Sequence, residues 1–571
     1  MAPARLLPAL YLVSAVAAVA ILAPVLPTLA GAGPGYLLYR DAVSTPRTHV
    51  TDTTLGIGDL PPRAVPQDWF VAMASSVVDG GVVVVAILMA SLVFAGVGYG
   101  RLASRLVPGS GRAGAVAAAL VAIWNPYVAE RLLQGHWSLL AGYAALGWIL
   151  VAAMELRDRP DLTRFAQLGG LLAAAGLTPT GSVLAGLVLA AALIGRPVGA
   201  RATAIAAALW PASTAPWTLT AVISDAATTS NPAGVEAFGL RPEPGLGPVG
   251  TVLSLGGIWN ADAVPSSRTI WWAAVATLCL LVVVSAGVVF LWRRRASLDP
   301  LVRALGLLSA AVAVLLVLST FGPGQWVLEA AVEHVPGAGL FRDTQKFAAL
   351  LVPGVAVAVA AAVTAAGRRV PSGFALAAVT LLVVAPLPDL AWGVGGSVRS
   401  VGYPEDWATV AALVPADQGA VALWPADTVR QYAFADEVSL DPAARMLRAP
   451  VIESGELSVD GEVVDAPSER AAAVAAVLES GGSPAELAAL GVGWVLVEND
   501  SPPALLAEEG RLVHDGEDLR LYRIDAHADR SADGSDRALA IGAHLVWAAL
   551  FVAGIVGAVA ATARAPRRTS R

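Results

Sequence analysis

The chain has 571 residues, of which 56% are hydrophobic and only 14% carry charge, and its mean hydropathy is +0.66. This composition excludes an ordinary soluble domain and is typical of a protein that crosses a lipid bilayer several times. A single cysteine, Cys279, excludes a disulfide framework. The formal charge of −7 is spread unevenly along the chain. No basic tract with interleaved aromatic residues indicates nucleic-acid binding.

Apolar stretches long enough for membrane helices recur along the chain. They consist mainly of Ala, Val, Leu and Gly, as expected where helices pack closely in lipid. We predict a mostly α-helical, polytopic transmembrane bundle of about twelve spans. Their approximate bounds are 7–30, 80–99, 113–126, 138–154, 165–178, 182–195, 202–222, 270–292, 303–321, 347–366, 371–392 and 539–562. The two spans on either side of "LTPTGS" have an alternative interpretation, a single helix broken by Pro-Thr-Gly.

Arginine residues predict the orientation of this bundle. They collect in every second loop, beginning with Arg5, continuing through positions such as Arg294 and Arg368, and closing with the tail 563–571. The positive-inside rule places these loops and both ends of the chain in the cytoplasm (N-in, C-in). A cleaved signal peptide is the alternative for the first span, because 30–32 resembles a cleavage site. Its apolar core is longer than such peptides usually have.

The opposite, outer side carries the polar segments. We divide the chain into a transmembrane domain (1–392) with outer loops at 31–79, 223–269 and 322–346, an extracytoplasmic domain (393–538), and a last transmembrane helix with a basic cytoplasmic tail (539–571). In the outer domain, strand-like runs at 419–426 and 491–500 alternate with a helical run at 468–480, and 511–525 is typical of a hairpin. We therefore predict a small α/β domain before the last span.

The sequence contains no motif of a soluble enzyme, such as a phosphate-binding loop or a Gly-x-Ser-x-Gly elbow. The remaining candidates are charges at the outer ends of helices, where ions are costly unless they pair or line a wet cavity. In "GYLLYRDAVSTPR", Asp41 is the leading catalytic candidate because a carboxylate there can deprotonate an acceptor hydroxyl. Arg40 beside it either binds phosphate or neutralises Asp41. A surface ion pair or a helix cap is the alternative for both residues.

A second group of polar residues lies in "NPYVAERLLQGHW". Glu130 and Gln134 share a helix face, and Arg131 lies near His136 only if the helix breaks at Gly135. An interfacial re-entrant loop anchored by its aromatic residues is the alternative interpretation of this stretch.

A third group lies in "LFRDTQKF", which repeats the Arg-Asp pair. Arg342 and Lys346 stand at i and i+4, on one helix face, with Asp343 between them in sequence. Two cations at an outer helix end suit an anionic group such as a lipid phosphate. Snorkelling of cations at a helix end is the alternative interpretation.

The chain resembles the GT-C superfamily of integral membrane glycosyltransferases, including actinobacterial and YfhO-type members. The resemblance lies in the acidic residue that opens the first outer loop and in "WNPYVAERLLQGHWSLLAGYAALGW", "LSLGGIWN", "GLFRDTQKFAALL" and "YPEDWATVAALVPADQGAVALWPA". It covers most of the chain and implies a polyprenyl-phosphate sugar as donor. It also implies Asp41 as catalytic base, with Arg131, His136, Arg342 and Lys346 as donor-phosphate candidates.

The first outer loop departs from the superfamily pattern in one respect. Many members have paired acids there for a divalent metal, whereas this loop has only "YRDA" and no second acid nearby. The sequence thus does not indicate a metal site. Either arginine and lysine carry the phosphate charge without a metal, or the chain has lost activity.

Our main hypothesis is an inverting glycosyltransferase of the cytoplasmic membrane, with its site facing outside. The acceptor would be a cell-envelope glycan or glycolipid, and the sugar mannose or arabinofuranose. The outer domain would hold the acceptor or a partner membrane protein. The competing hypothesis is a non-catalytic scaffold, or a carrier of a lipid-linked glycan. A transporter should show internal repeats and charged or broken helices near the midplane of the bilayer. The sequence has no clear halves, and its ionisable residues collect at helix ends instead.

Overall fold

The computed structural model describes residues 6–195, 198–224, 230–459, 461–525 and 527–564. Most of the predicted basic tail, from residue 565 onward, lies outside the described residues, as do Arg5 and Arg196 of the predicted cytoplasmic loops.

The described residues form many helices and a smaller set of strands. The helices are α1 (Leu6–Leu22), α2 (Asp52–Leu55), α3 (Gln67–Ala74), α4 (Gly80–Leu106), α5 (Gly111–Ile123), α6 (Pro126–Gln134), α7 (Trp137–Asp158), α8 (Leu162–Ala175), α9 (Pro179–Gly195), α10 (Ala200–Ile223), α11 (Ala233–Ala237), α12 (Gly247–Leu253), α13 (Trp272–Arg293), α14 (Pro300–Leu318), α15 (Gly322–His334), α16 (Val352–Ala366), α17 (Ser372–Val384), α18 (Ala391–Gly395), α19 (Glu405–Leu413), α20 (Ala443–Met446), α21 (Glu469–Ser480), α22 (Pro484–Ala489), α23 (Ala504–Glu509) and α24 (Gly534–Arg564). The strands are β1 (Leu38–Tyr39), β2 (Ala42–Val43), β3 (Ala420–Trp424), β4 (Val429–Arg430), β5 (Ser439–Leu440), β6 (Val451–Ile452), β7 (Leu457–Val459), β8 (Glu462–Asp465), β9 (Val492–Glu498), β10 (Arg511–Asp515) and β11 (Leu519–Arg523). Short 3₁₀ segments extend several helix ends, among them Ala23–Ala30 and Thr344–Leu351.

In the described part of the chain, eight helices are long and apolar enough to cross a membrane. They are Leu6–Ala30, Gly80–Leu106, Gly111–Gln134, Trp137–Asp158, Trp272–Arg293, Pro300–Leu318, Thr344–Ala366 and Gly534–Ala561. A ninth span results if Ser372–Val384 and Pro388–Gly395, which meet at 79°, are counted as one. The protein is therefore a multi-pass, mostly helical membrane protein.

The other three predicted spans are also helical, but they do not meet the same length and hydropathy criteria. They correspond to α8, which has 14 residues, to α9, which has 17, and to α10, which contains Pro211 and Pro216. The "LTPTGS" stretch separates α8 from α9, and the hydroxyl of Thr178 accepts a hydrogen bond from Gly181 at the start of α9 (3.0 Å). The count of twelve crossings and the N-in, C-in orientation remain predictions.

Small residues allow the helices of the bundle to approach closely. The last helix, α24, returns to pack against α8, where a Cβ added to Gly170 or Gly554 would lie 2.5 Å from the Cα of the other glycine. In the same way, Gly98 of α4 lies under the indole of Trp148. Such contacts are typical of helices in lipid, where packing replaces the hydrophobic effect as the main force between helices.

The segment before the last helix, which the sequence predicts to be the outer domain, contains a mixed five-stranded sheet in the order β10-β11-β9-β3-β6. Strand β3 pairs in parallel with β6 and β9, whereas β9–β11 and β10–β11 are antiparallel. All seven residues of β9 are buried, as expected for a strand covered on both faces. The small α/β region and the hairpin at 511–525 are therefore confirmed.

The first outer loop joins this sheet region instead of standing apart from it. Backbone bridges connect Tyr36 to Val401 and Arg40 to Ser439. Leu38 of the same loop is buried in a cluster that also contains residues of α19, β3 and β9. The loop that carries Asp41 is thus fixed between the helical bundle and the outer sheet.

Candidate active site

Asp41 lies in the two-residue turn of a short hairpin formed by β1 and β2. Strand pairing joins Tyr39 to Ala42, so that Arg40 and Asp41 form the turn itself. Arg40 has a φ of 44°, which is uncommon for a residue with a side chain. The surroundings must therefore hold this turn in place.

The side chain of Arg40 provides much of that restraint. Its guanidinium donates to the carbonyl oxygen of Leu133 (2.8 Å) and to that of Asp262 (2.9 Å), and it pairs with the carboxylate of Glu437 (3.0 Å). These partners belong to α6, to the loop after α12 and to the outer domain. Arg40 therefore connects three segments and presents Asp41 beside them.

The short helix α6 brings the second polar group to Asp41. It begins after Asn125, whose side chain accepts a hydrogen bond from Val128 (3.1 Å), and it ends at Gly135 with a φ of 86°. A Cβ at Gly135 would collide with the backbone of Ala42, so only glycine permits this close approach. The prediction that Arg131 lies near His136 if the helix breaks at Gly135 is confirmed.

Five charged or polar side chains then form a continuous series, which we call the charge chain: Asp41, His136, Arg131, Asp343 and Lys346. The His136 Nε2 atom lies 2.8 Å from Asp41 Oδ2, and His136 Nδ1 lies 3.0 Å from Arg131 Nη1. Arg131 Nη1 lies 3.0 Å from Asp343 Oδ2, which is 3.4 Å from Lys346 Nζ. The three sequence stretches singled out above therefore meet in one place.

The contacts of His136 determine its tautomer. A guanidinium can only donate, so Nδ1 of His136 must accept the hydrogen bond from Arg131. The proton of the neutral imidazole then lies on Nε2 and is donated to Asp41. A second proton on His136 would set two donors against each other, so this arrangement favours the neutral ring.

The pKa values of these groups agree with that assignment. Loss of water around its carboxylate tends to raise the pKa of Asp41. Hydrogen bonds from His136 and Gln134 and the charge of Lys346 outweigh this effect, so that the pKa of Asp41 is lowered. Burial lowers the pKa of His136 in spite of the nearby carboxylate. At neutral pH, Asp41 is ionised and His136 is neutral.

Two further residues support the chain from inside the bundle. Gln345 accepts a hydrogen bond from Arg131 and donates one to Glu130 (2.9 Å). Glu130 also accepts from the backbone N–H groups of Gly257 (2.9 Å) and Ile258 (3.2 Å). Both side chains are fully buried, so the hydrogen bonds satisfy groups that would otherwise be costly to bury.

A hydrogen-bonded amide pair supports Asp41 on the other side. Asn260 donates to the side-chain oxygen of Gln134 (2.9 Å), whose amide nitrogen in turn donates to Asp41 Oδ2 (3.2 Å). Asn260 is the last residue of the "LSLGGIWN" stretch, so the end of this stretch, on which the family resemblance partly rests, also lies at the site.

Arg342 does not join the charge chain. The prediction that it shares a helix face with Lys346 is wrong, because two separate 3₁₀ segments lie on either side of Arg342 and Asp343. Its two terminal nitrogens bind the carboxylate of Asp465 in β8 (2.8 and 3.1 Å), and its guanidinium lies 5.1 Å from the ring centroid of Phe238. Arg63 of the first outer loop pairs with the same carboxylate (3.0 Å). The structure thus brings Arg131, His136 and Lys346 together with Asp41, while it directs Arg40 and Arg342 to the outer domain.

The side chains at the two ends of the charge chain are more exposed than those in its middle. The side chains of Asp41 and Lys346 are 40% and 24% exposed, whereas those of Arg131 and Asp343 are 0% and 8% exposed. The two ends of the charge chain are therefore accessible, and the buried middle holds them in position.

The sequence patterns do not identify Asp343, Gln345 or Asn260 as site residues. The signal for Asp343 was present, because it stands three residues before Lys346 in a stretch already singled out. A polar glutamine at the start of an apolar span was a weaker signal for Gln345. In the described part of the chain, no group of three or more His, Cys, Asp and Glu residues is placed to hold a metal ion.

The fold is similar to that of a membrane glycosyltransferase of known structure. Two solved structures of arabinofuranosyltransferase AftD from Mycobacteria, one of them a mutant form, match 91% and 92% of the chain with TM-scores of 0.52 and 0.51. Identity is 16% in both cases, and the chain spans about 40% of the length of those proteins. No protein-family model and no curated protein sequence matches the chain.

Proposed function

We propose that this chain is an inverting glycosyltransferase that transfers sugar from a polyprenyl phosphate to a cell-envelope glycan or glycolipid. The reaction would take place at the outer face of the cytoplasmic membrane. The single observation that carries the proposal is the ionised, partly exposed Asp41, held by neutral His136 at the end of an otherwise buried charge chain. The similarity of the fold to that of arabinofuranosyltransferase AftD supports the reaction class.

Asp41 is proposed as the general base. Its carboxylate takes the proton of an acceptor hydroxyl while the acceptor oxygen forms a bond to the anomeric carbon of the donor sugar. The bond from that carbon to the phosphate oxygen breaks, and the polyprenyl phosphate leaves with the electron pair. Attack from the face opposite the leaving group inverts the anomeric centre.

Lys346 is proposed to stabilise the departing phosphate. Its ammonium group is the exposed cation of the charge chain, whereas Arg131 is fully buried and already bound by Asp343 and Gln345. A cation at this position favours the transition state because negative charge grows on the phosphate as the bond breaks. Arg131 is then a positioning residue that orients His136 and Asp343.

Arg40 and Arg342 are proposed to hold the outer domain over the site. Each guanidinium binds a carboxylate of that domain, Glu437 in one case and Asp465 in the other. The outer domain would hold the acceptor or a partner protein. Because AftD is an arabinofuranosyltransferase, arabinofuranose is the donor sugar to test first, and mannose the second.

Transfer of labelled sugar from polyprenyl phosphate, measured in membranes, tests the proposal. Asp41→Asn should lose transfer because the amide cannot accept the proton. The matched control is Asp59→Asn, since Asp59 lies in the same outer loop with a similarly exposed side chain (39%) and pairs with Arg470 away from the charge chain. It should keep wild-type activity.

Two other outcomes would contradict the proposal in different ways. Unchanged transfer by Asp41→Asn would remove Asp41 as the base. Absence of transfer by the wild-type chain with both donors would favour the non-catalytic scaffold or the carrier of a lipid-linked glycan.

A further inference from the structure

The end of the bundle opposite the charge chain contains a second polar cavity, which we call the arginine pocket. Its volume is about 440 Å³, and it lies among the α4–α5 turn, the ends of α13 and α16, and the start of α17. Helix α4 begins beside the first outer loop, where Gly80 packs against Thr45, and ends at this pocket. The two sites therefore lie at opposite ends of the same helices.

Two arginines line this pocket without an acidic partner. The guanidinium carbons of Arg294 and Arg368 lie 4.7 and 4.8 Å from the centroid of the same ring, that of Phe290. They are therefore no farther apart than the sum of these distances. Among the described residues, neither arginine pairs with a carboxylate, and no acidic side chain lines the pocket. Two like charges at one cavity repel each other, and an anion bound between them would offset this repulsion.

A largely buried serine also lines the pocket. Ser110 is 7% exposed and lines the cavity, and its hydroxyl makes no hydrogen bond to any described residue. Ser110 precedes the first turn of α5, a helix of 13 residues whose initial N–H groups have no side-chain cap. Unsatisfied N–H groups and the positive end of a helix dipole favour an anion at this position.

Arginine at a helix end is by itself common on the cytoplasmic side of membrane proteins. The neighbours Arg295 and Arg369 illustrate this, because they do not line the pocket, and Arg295 lies over the ring of Trp292. Arg294 and Arg368 differ in converging on one cavity that also contains an unpartnered hydroxyl. This convergence indicates a built site for an anion.

We propose that the arginine pocket binds the phosphate group of an anionic phospholipid. The guanidinium groups would bind the phosphate oxygens, and the Ser110 hydroxyl and the first N–H groups of α5 would donate to the same oxygens. A lipid is favoured over free phosphate because the pocket lies at the end of membrane-spanning helices, where head groups lie, and its walls include Ala113 and Val363. This inference does not depend on the proposed function.

Titration of the purified full chain in neutral detergent tests the proposal, with the unfolding temperature as the readout. The probes are dioctanoyl-phosphatidylglycerol, dioctanoyl-phosphatidylcholine and inorganic phosphate. The phosphatidylglycerol should raise the unfolding temperature of the wild type, whereas the phosphatidylcholine and the inorganic phosphate should not. In R294Q/R368Q the apparent affinity for phosphatidylglycerol should fall by about tenfold or more, because two charge-assisted contacts are lost.

The matched control is R295Q/R369Q. It removes the same number of charges from the neighbouring residues, which do not line the pocket. It should bind phosphatidylglycerol like the wild type. R294K/R368K keeps the charge if the glutamine variant fails to fold, and it should bind with intermediate affinity because lysine lacks the planar fork. Equal loss in both glutamine variants, or no binding by the wild type, would overturn the proposal. An equal response to inorganic phosphate would overturn its assignment to a lipid.

Discussion

The two Arg-Asp pairs of this protein, Arg40-Asp41 and Arg342-Asp343, have the same order of charges but lie in different surroundings. In both pairs the arginine binds a carboxylate of the outer domain and the aspartate joins the charge chain. The aspartates differ in exposure, since the side chain of Asp41 is 40% exposed and that of Asp343 is 8% exposed.

The exposed Asp41 is therefore the candidate for chemistry, and the buried Asp343 is the candidate for a supporting role. Asp41 has a neutral partner, His136, and an exposed carboxylate that can accept a proton. Asp343 lies between Arg131 and Lys346 and is the counter-ion that both cations share. Burial tends to raise the pKa of Asp343, but these charges outweigh it and lower the pKa to about 2. The same dipeptide thus provides a candidate base in one place and a structural counter-ion in the other.

The largest expected effect is on transfer by Asp41→Asn, which should fall by about 10²–10⁴-fold, the usual contribution of a general base. The unfolding temperature should stay close to that of the wild type, because the amide fits the same turn. Measuring both quantities on one preparation tests the distinction. A fall in unfolding temperature as large as that of Asp343→Asn would mean that the two aspartates have the same role.

Asp343→Asn should destabilise the protein by about 3 kcal/mol, because it leaves buried Arg131 without its charged partner. Thermal unfolding in detergent measures this loss, and Asp59→Asn is again the control. The native pKa of Asp343 is lowered, so its stabilisation should be complete above pH ~4 and should disappear as the pH falls towards about 2. Unchanged stability of Asp343→Asn at neutral pH would contradict the counter-ion role.

Lys346→Gln should lower kcat/KM for the donor by about tenfold, the size of one charge-assisted contact to the departing phosphate. Arg342→Gln should change this kcat/KM by less than about threefold, since its charge is already bound by Asp465. Initial rates over a range of donor concentrations give both values. If Arg342→Gln lowers kcat/KM as much as Lys346→Gln does, then Arg342 contacts the donor phosphate, as the sequence resemblance implies.

The smallest effect should be a displacement of the pH profile in His136→Ala. The hydrogen bond from His136 helps to lower the pKa of Asp41, so its removal should raise that pKa. The acid limb of kcat/KM, which follows ionisation of Asp41, should then move to higher pH. His49→Ala, in the same outer loop, should leave the limb in place. A limb that does not move in His136→Ala would show that His136 does not act through Asp41.

Much of the fold could be predicted because it depends on local composition. Apolar runs predict the helices, and a helix stands at each of the twelve predicted spans, although only eight of these helices clearly meet the length and hydropathy of a membrane crossing. The turn at Asp515-Gly516 predicts its hairpin in the same way. The position of Arg131 beside His136 followed from Gly135 as a helix end.

The carboxylate that each arginine binds could not be predicted, because these partners lie far away in the chain. Nothing near Arg342 in sequence indicates that Asp465, 123 residues later, binds its guanidinium. Gln345 meets Glu130 across 215 residues in the same way. Spacing along one helix would place Arg342 and Lys346 on one face, but the structure has two separate 3₁₀ segments here, Ala338–Phe341 and Thr344–Leu351, and Asp343 between them has a non-helical ψ of 80°.

The sequence by itself determined that this is a membrane protein with its charged residues at helix ends, because the cost of placing ions in hydrocarbon restricts where they can lie. It also indicated which three stretches carry the candidate chemistry. The tertiary structure alone decided which charge is exposed and which is buried. Exposure and hydrogen bonding depend on long-range contacts, and these make Asp41, rather than Asp343, the carboxylate that a substrate can reach.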